Sequence, residues 1–226
     1  MNKREWADKL QQLRLIIRKD NYLDEAKDRI LNLHSMVHAS EMSGINQITF
    51  ENQLWDSLDE ETARKAINKK GRTILYGIWH STRIEDITMN LLVTGTVQIF
   101  EKYDWFSKIN SPIRHTGNSL NEKEIMQMSS MIDIEALKAY RIAVGQNSEN
   151  IIRNLESGEM KRKIYKENLQ RILNEKAVDN VESANWLIDF WGKKDVASII
   201  LMPCLRHQIV HINESIEAKK RGISNA

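Results

Sequence analysis

Turn-forming residues are scarce in this chain, with 2 Pro and 9 Gly among 226 residues. A sheet protein closed by tight hairpins draws heavily on both, so long helices are the economical solution. The apolar periodicity points the same way. Thr73, Gly77, His80, Ile84, Ile87 and Leu91 recur at steps of three and four, which predicts a long helix from Arg72 to about Phe100, with Gly95 a weak spot. Trp6, Leu10, Leu13, Ile16 and Ile17 predict an amphipathic helix over residues 1–20. A second helix is expected from Asn21 or Tyr22 to about Ser43, where Gly44 stops it. Ser57 with Glu60, and Ser119 with Glu122, read as capping boxes opening short helices to about Ile67 and Met131. Asp133 caps a helix to about Leu155, and one or two short helices fit Met160 to Trp191. The last long helix fits Lys194 to about Lys220, and Pro203 should bend it. Four long helices with short ones between them predict an all-α fold, a four-helix bundle over 21–220. Residues 1–20 form an added N-terminal helix, and 221–226 read as a frayed tail.

Composition excludes several classes. Lys and Arg total 33 against 31 Asp and Glu, so the chain lacks the dense basic field of a nucleic-acid binder. The longest weakly charged stretch, Ile87 to Phe100, is too short to span a bilayer. The start has no continuous apolar core of a signal peptide, and the one cysteine, Cys204, excludes an internal disulfide. A reducing cytoplasm is the expected location. A homodimer is left open.

The six histidines carry the chemistry. His34 and His38 form H-x-x-x-H in the second helix, and His207 and His211 form another in the last. Four residues is slightly more than one turn, so each pair projects from one face about 6 Å apart along the axis. His80 lies on the apolar stripe of the long middle helix. A third imidazole from a facing helix would complete three corners of a metal-binding tetrahedron and leave one position open. Buried imidazoles need partners, and a metal supplies them.

Two of these segments resemble a known family. Gly77-Ile78-Trp79-His80-Ser81-Thr82-Arg83-Ile84-Glu85-Asp86 is similar to the helix-two signature of the DinB-like (DinB/YfiT) four-helix-bundle superfamily: a hydrophobic-His segment, a basic residue and Glu-Asp. Arg206-His207-Gln208-Ile209-Val210-His211-Ile212-Asn213-Glu214 resembles its last-helix H-x-x-x-H. The resemblance covers about Asp24 to Lys220 in architecture and is specific in those two segments. It implies a divalent metal, zinc or nickel, held by His80, His207 and His211. It also implies an enzyme acting on a small electrophilic substrate. That enzyme would transfer a low-molecular-weight thiol or activate water for hydrolysis. The chain departs from simpler members in its N-terminal helix and in the excursion from Trp105 to Met131.

A further departure is the run His34, His38 and Glu41 (H-x-x-x-H-x-x-E). It leaves three roles open: extra ligands, an acid and base for catalysis, or a hydrogen-bonded network around the metal. Cys204, three residues before His207, is open to three readings: a fourth ligand, a thiolate, or a buried apolar filler. Arg83, Arg114 and Arg206 are candidate anion anchors. Glu85 and Asp86 are expected to hold Arg83 or a helix neighbour, and Trp79, Trp186 and Trp191 to pack the core or wall a pocket. The rival reading is a non-catalytic helical binding protein with a structural metal. A di-iron carrier needs bridging carboxylates one turn from the histidines, and His80, His207 and His34 have Ile84, His211 and His38 there instead.

Overall fold

A computed structural model describes residues 1–224. Its helices are α1 Lys3–Ile16, α2 Leu23–Ser35, α3 Ser40–Ser43, α4 Phe50–Trp55, α5 Glu60–Lys65 and α6 Ile74–Ile87. They continue with α7 Ile99–Lys102, α8 Trp105–Ile109, α9 Glu122–Met131, α10 Ile134–Asn154, α11 Lys166–Asn174, α12 Glu182–Gly192, α13 Val196–Ile199 and α14 His207–Ser224. Two wider π-helical segments prolong this framework, Thr88–Thr94 after α6 and Ile200–Arg206 between α13 and α14. Among the described residues there is no strand, only two isolated bridges. The fold is the expected all-helical bundle. α6 packs on α14 and α10, and α2 packs on α10 and the 200–206 segment. α1 lies outside against α2, burying Trp6, Leu10 and Leu13, and the Trp6 indole N–H donates to the Leu33 carbonyl at 2.8 Å.

Several boundaries differ from the sequence expectation. The long middle helix stops at Gly95, whose left-handed backbone (φ +70°) closes the π turn. Residues 99–102 then form their own helix, because both oxygens of the buried Asp86 carboxylate accept from Ile99 N and Phe100 N at 2.8 Å. The helix expected over 21–43 divides into α2 and the single turn α3, which Gly44 ends at φ +66°. The cap of α5 is Asp59 rather than Ser57, and that of α9 is Asn121 with Glu124 rather than Ser119 with Glu122. Ser119 instead donates to Asp179 at 2.7 Å. Pro203 sits inside the π segment, so its missing N–H falls where the helical register is already widened. The expected frayed tail is helical through Ser224; residues 225 and 226 lie outside the described residues.

α6 is the structural anomaly. All fourteen of its residues are buried, and six of them are polar or charged: His80, Ser81, Thr82, Arg83, Glu85 and Asp86. A central helix of that kind must find a partner for every polar side chain. Arg83 spends its guanidinium on Asp86, Tyr140, Gln98 and the Arg114 carbonyl, over the Phe100 ring. It is therefore a core tie and not an anion anchor.

Candidate metal centre

The N-terminal turn of α6 is set by Thr73, whose hydroxyl accepts from Tyr76 N at 3.1 Å. Two turns on, His80 points across the bundle at α14. Its Nδ1 lies 2.6 Å from the Thr116 carbonyl oxygen. A carbonyl only accepts, so Nδ1 carries the proton and Nε2 holds the lone pair. On α14, His207 and His211 stand one turn apart with their Nε2 atoms 3.1 Å from each other. The His80 ring centroid is 5.1 Å from that of His207 and 4.9 Å from that of His211. One ring nitrogen of each of the three lies within 4.8 Å of the other two. Ligands of a tetrahedral ion with metal–nitrogen distances near 2.1 Å stand about 3.4 Å apart, so small movements would seat a cation among them.

His80 and His211 are buried, while His207 is half-buried and marks the more open side. Burial lowers His80 to about 3, with a smaller contribution from the neighbouring His211 imidazole. His207 is pushed well below the ordinary histidine value, first by burial and then by the other two imidazoles. His211 is also lowered by burial, against the pull of Glu214. All three are thus neutral at physiological pH, the form that ligates. Free-histidine titration near pH 6 does not govern this site.

Glu214 lies on the far side of His211, with Oε2 3.3 Å from His211 Nδ1 but off the axis of a hydrogen bond. Burial alone would raise this carboxyl. His211, Lys70 (2.6 Å) and Arg72 (3.2 Å) outweigh burial and hold it well below the usual carboxylate range. The Arg72 charge bears on all three histidines. Arg72 is the site guanidinium that sequence reasoning missed; Arg114 is committed to Glu101 at 2.7 Å, and Arg206 is exposed.

The loop behind His80 is held by Gly117 at φ +75°. Tyr76 stacks on His80 with centroids 5.5 Å apart and donates to the Gly117 carbonyl at 3.1 Å. A Cβ at Gly117 would come within 3.0 Å of the Trp79 ring and 3.3 Å of Tyr76. Gly117→Ala should therefore cost about 1–2 kcal/mol in backbone strain, and it should displace the Thr116 carbonyl. Losing such an outer partner weakens metal binding by about 10–100-fold. Isothermal titration with zinc checks this, and unchanged affinity would mean the carbonyl does not orient His80.

His34 and His38 are both fully buried, but they are not in the three-histidine set. They meet Glu85 of α6: His34 Nε2 to Oε1 at 2.7 Å and His38 Nε2 to Oε2 at 3.1 Å. The Glu85 charge also reaches His207, so the two clusters are neighbours. Burial lowers His38 to about 4 despite Glu85. Burial would raise the Glu85 carboxyl, but the two imidazoles hold it well below its ordinary value. Glu41 stands apart from that run: it is exposed on α3 and among the described residues joins neither cluster, because α2 ends at Ser35 and the helical register is lost before it. Cys204 is buried, with its thiol 3.9 Å from Glu85 Oε1, and it stands behind the second cluster. Trp79 and Trp191 are core residues, while Trp186 is largely exposed.

No protein-family description matches the chain, and no curated protein matches it.

Proposed function

We propose that the chain is a divalent-metal-dependent enzyme of the DinB-like class. It would hold zinc or nickel on His80, His207 and His211 and act on a small electrophilic substrate with a low-molecular-weight thiol or water. The observation that carries this reading is the convergence of three neutral imidazoles with the His80 tautomer fixed by a backbone carbonyl. Among the described residues no fourth His, Cys, Asp or Glu joins that set. Three protein ligands with one position left over favour catalysis, whereas a structural site is closed by four. That weighs against a non-catalytic binding protein with a structural metal.

A divalent ion, when bound, supplies the Lewis acidity that brings a thiol or water towards its anion near neutral pH. The chain's own residues do the rest. Thr116 and Tyr76 keep the His80 ring in place, and the half-buried His207 leaves approach from one side. Arg72 and Lys70, paired to Glu214 at the rim, offer positive charge to a carboxylate-bearing thiol or substrate. No helix among the described residues is long and apolar enough to cross a membrane. A cytoplasmic location suits the free, buried Cys204.

The test is cobalt substitution. Cobalt-loaded protein titrated with small thiols should develop a thiolate charge-transfer band, and zinc- or nickel-loaded protein should consume the same thiol in the presence of an activated electrophile. Absence of both the band and the turnover across a thiol panel, with water hydrolysis of activated esters also absent, would refute the enzyme reading.

A further inference from the structure

We propose that His34, His38 and Glu85 form a second divalent-cation site, of the zinc class, independent of the three-histidine site. One ligand atom from each of the three lies within 4.8 Å of the others, and all three side chains are fully buried. The two ring centroids are 4.4 Å apart, and each carboxylate oxygen faces one Nε2, at 2.7 and 3.1 Å. These separations approach those of ligands sharing one small cation, whose bonds to nitrogen and oxygen are near 2.0–2.2 Å.

Hydrogen bonding alone accounts poorly for the trio. Glu85 is a carboxylate with no exposure, and among the described residues its ion-pair partners are the two histidines. Among the described residues neither Lys nor Arg forms an ion pair with it. Arg141, whose charge bears on His38, is bound to Glu51, Ser81, Thr82, Gln208 and the Val37 carbonyl. Once each imidazole gives Nε2 to the carboxylate, His34 Nδ1 and His38 Nδ1 are left buried without partners. Coordination at the two Nε2 atoms would neutralise the buried Glu85 charge, a cost that hydrogen bonds from neutral imidazoles leave standing. Two imidazoles and a carboxylate are a donor set that zinc accepts. The Cys204 thiol donates towards Glu85 Oε1 at 3.9 Å, so it supports the carboxylate from behind.

The bound cation would pin the C-terminal end of α2 to α6. His34 lies in the last turn of α2, and His38 follows it before α3 begins. Glu85 is five residues beyond His80 on the same helix, and Cys204 precedes His207 by three. Both sites therefore share α6, but they take their other ligands from different segments: α14 for one, the end of α2 and the turn after it for the other.

The experiment is metal stoichiometry on the full, untagged chain, stripped with chelator, reloaded with zinc and counted by elemental mass spectrometry. Wild type should hold two equivalents. His80→Ala should hold one, and Glu85→Gln should hold one while keeping wild-type circular dichroism, since the amide preserves volume and still accepts from one imidazole. Cobalt loading should lose a different part of the visible spectrum in each variant. One equivalent in wild type that His80→Ala removes overturns this second site and leaves the proposed function standing. One equivalent that survives His80→Ala but disappears in Glu85→Gln supports this site and removes the basis of the proposed function. Two equivalents retained by folded Glu85→Gln overturn the assignment of Glu85. Should Glu85→Gln fail to fold, the wild-type and His80→Ala counts decide alone.

Discussion

Metal-free protein should lose stability steeply on acidification from pH 6.5 to 4.5. Unfolded histidine titrates near 6.5, whereas burial lowers His80 to about 3 and His38 to about 4 in the fold. Between those values the unfolded chain binds more protons than the native one, so stability rises with pH. The contribution is fully present above about pH 6.5 and drains as pH falls towards the folded values. Each such group removes about 1.4 kcal/mol per pH unit, so two remove roughly 5 kcal/mol over two units. His207, also depressed, acts with the same sign. Domains of this size have only about 5–15 kcal/mol in total, so a loss of that order removes about a third or more of the metal-free protein's stability by pH 4.5. Urea midpoints at pH 7.5, 6.5, 5.5 and 4.5 in chelator measure this. A flat profile would mean that the histidines are not buried as neutral groups. Added zinc should raise every midpoint above pH 5.5, because the ion binds only the folded state.

Arg141→Ala should be among the most damaging substitutions outside the metal ligands. Its guanidinium, buried in α10, bonds to Glu51 at 2.6 Å, Thr82 at 3.0 Å, Gln208 at 3.0 Å and the Val37 carbonyl at 2.7 Å. It therefore joins α4, α6, α10, α14 and the segment after α2. Removing it strands the buried Glu51 carboxylate, and breaking a buried pair in this way costs about 3–5 kcal/mol. The replacement of both partners, Arg141→Leu with Glu51→Leu, should cost less than the single change, because no charge is then left unpaired. Thr82 is two residues from His80, and Gln208 lies between His207 and His211 in the chain. Zinc affinity should therefore fall in the single variant as well. Thermal melts and zinc titrations of the two variants test this, and a single-variant loss under about 1 kcal/mol would refute the role of Arg141.

Much of this organisation was legible in local spacing. Four-residue steps along a helix are local facts, so the His207–His211 pair and the inward row through His80 could be read directly. The partners of those residues could not. Thr116 contributes a carbonyl, which every residue possesses, and it reaches His80 across 36 positions of chain. Glu85 meets His34 and His38 only through the docking of α2 on the centre of the bundle, 51 and 47 residues away. Glu41 shows the opposite failure. The run H-x-x-x-H-x-x-E places it on the histidine face only if the helix continues, and the helix ends at Ser35. Gly95 was visible as a weak spot, but its effect depends on Asp86 capping the next helix, a long-range hydrogen bond with no spacing signature. Asp59 and Asn121 took the cap positions from Ser57 and Ser119 because several adjacent residues can cap, and the backbone selects among them.

The central claim is that His80, His207 and His211 hold one divalent ion together. It is tested most directly by zinc titration with a competing chelator on the untagged wild type, His80→Ala, His207→Ala and His211→Ala, each checked by circular dichroism. Each single variant should keep its helix content, since apolar packing between helices dominates stability. Each should bind at that site more than about 100-fold more weakly than wild type, a larger loss than an outer-shell partner causes. Equal zinc affinity at every site in all four proteins would contradict the assignment.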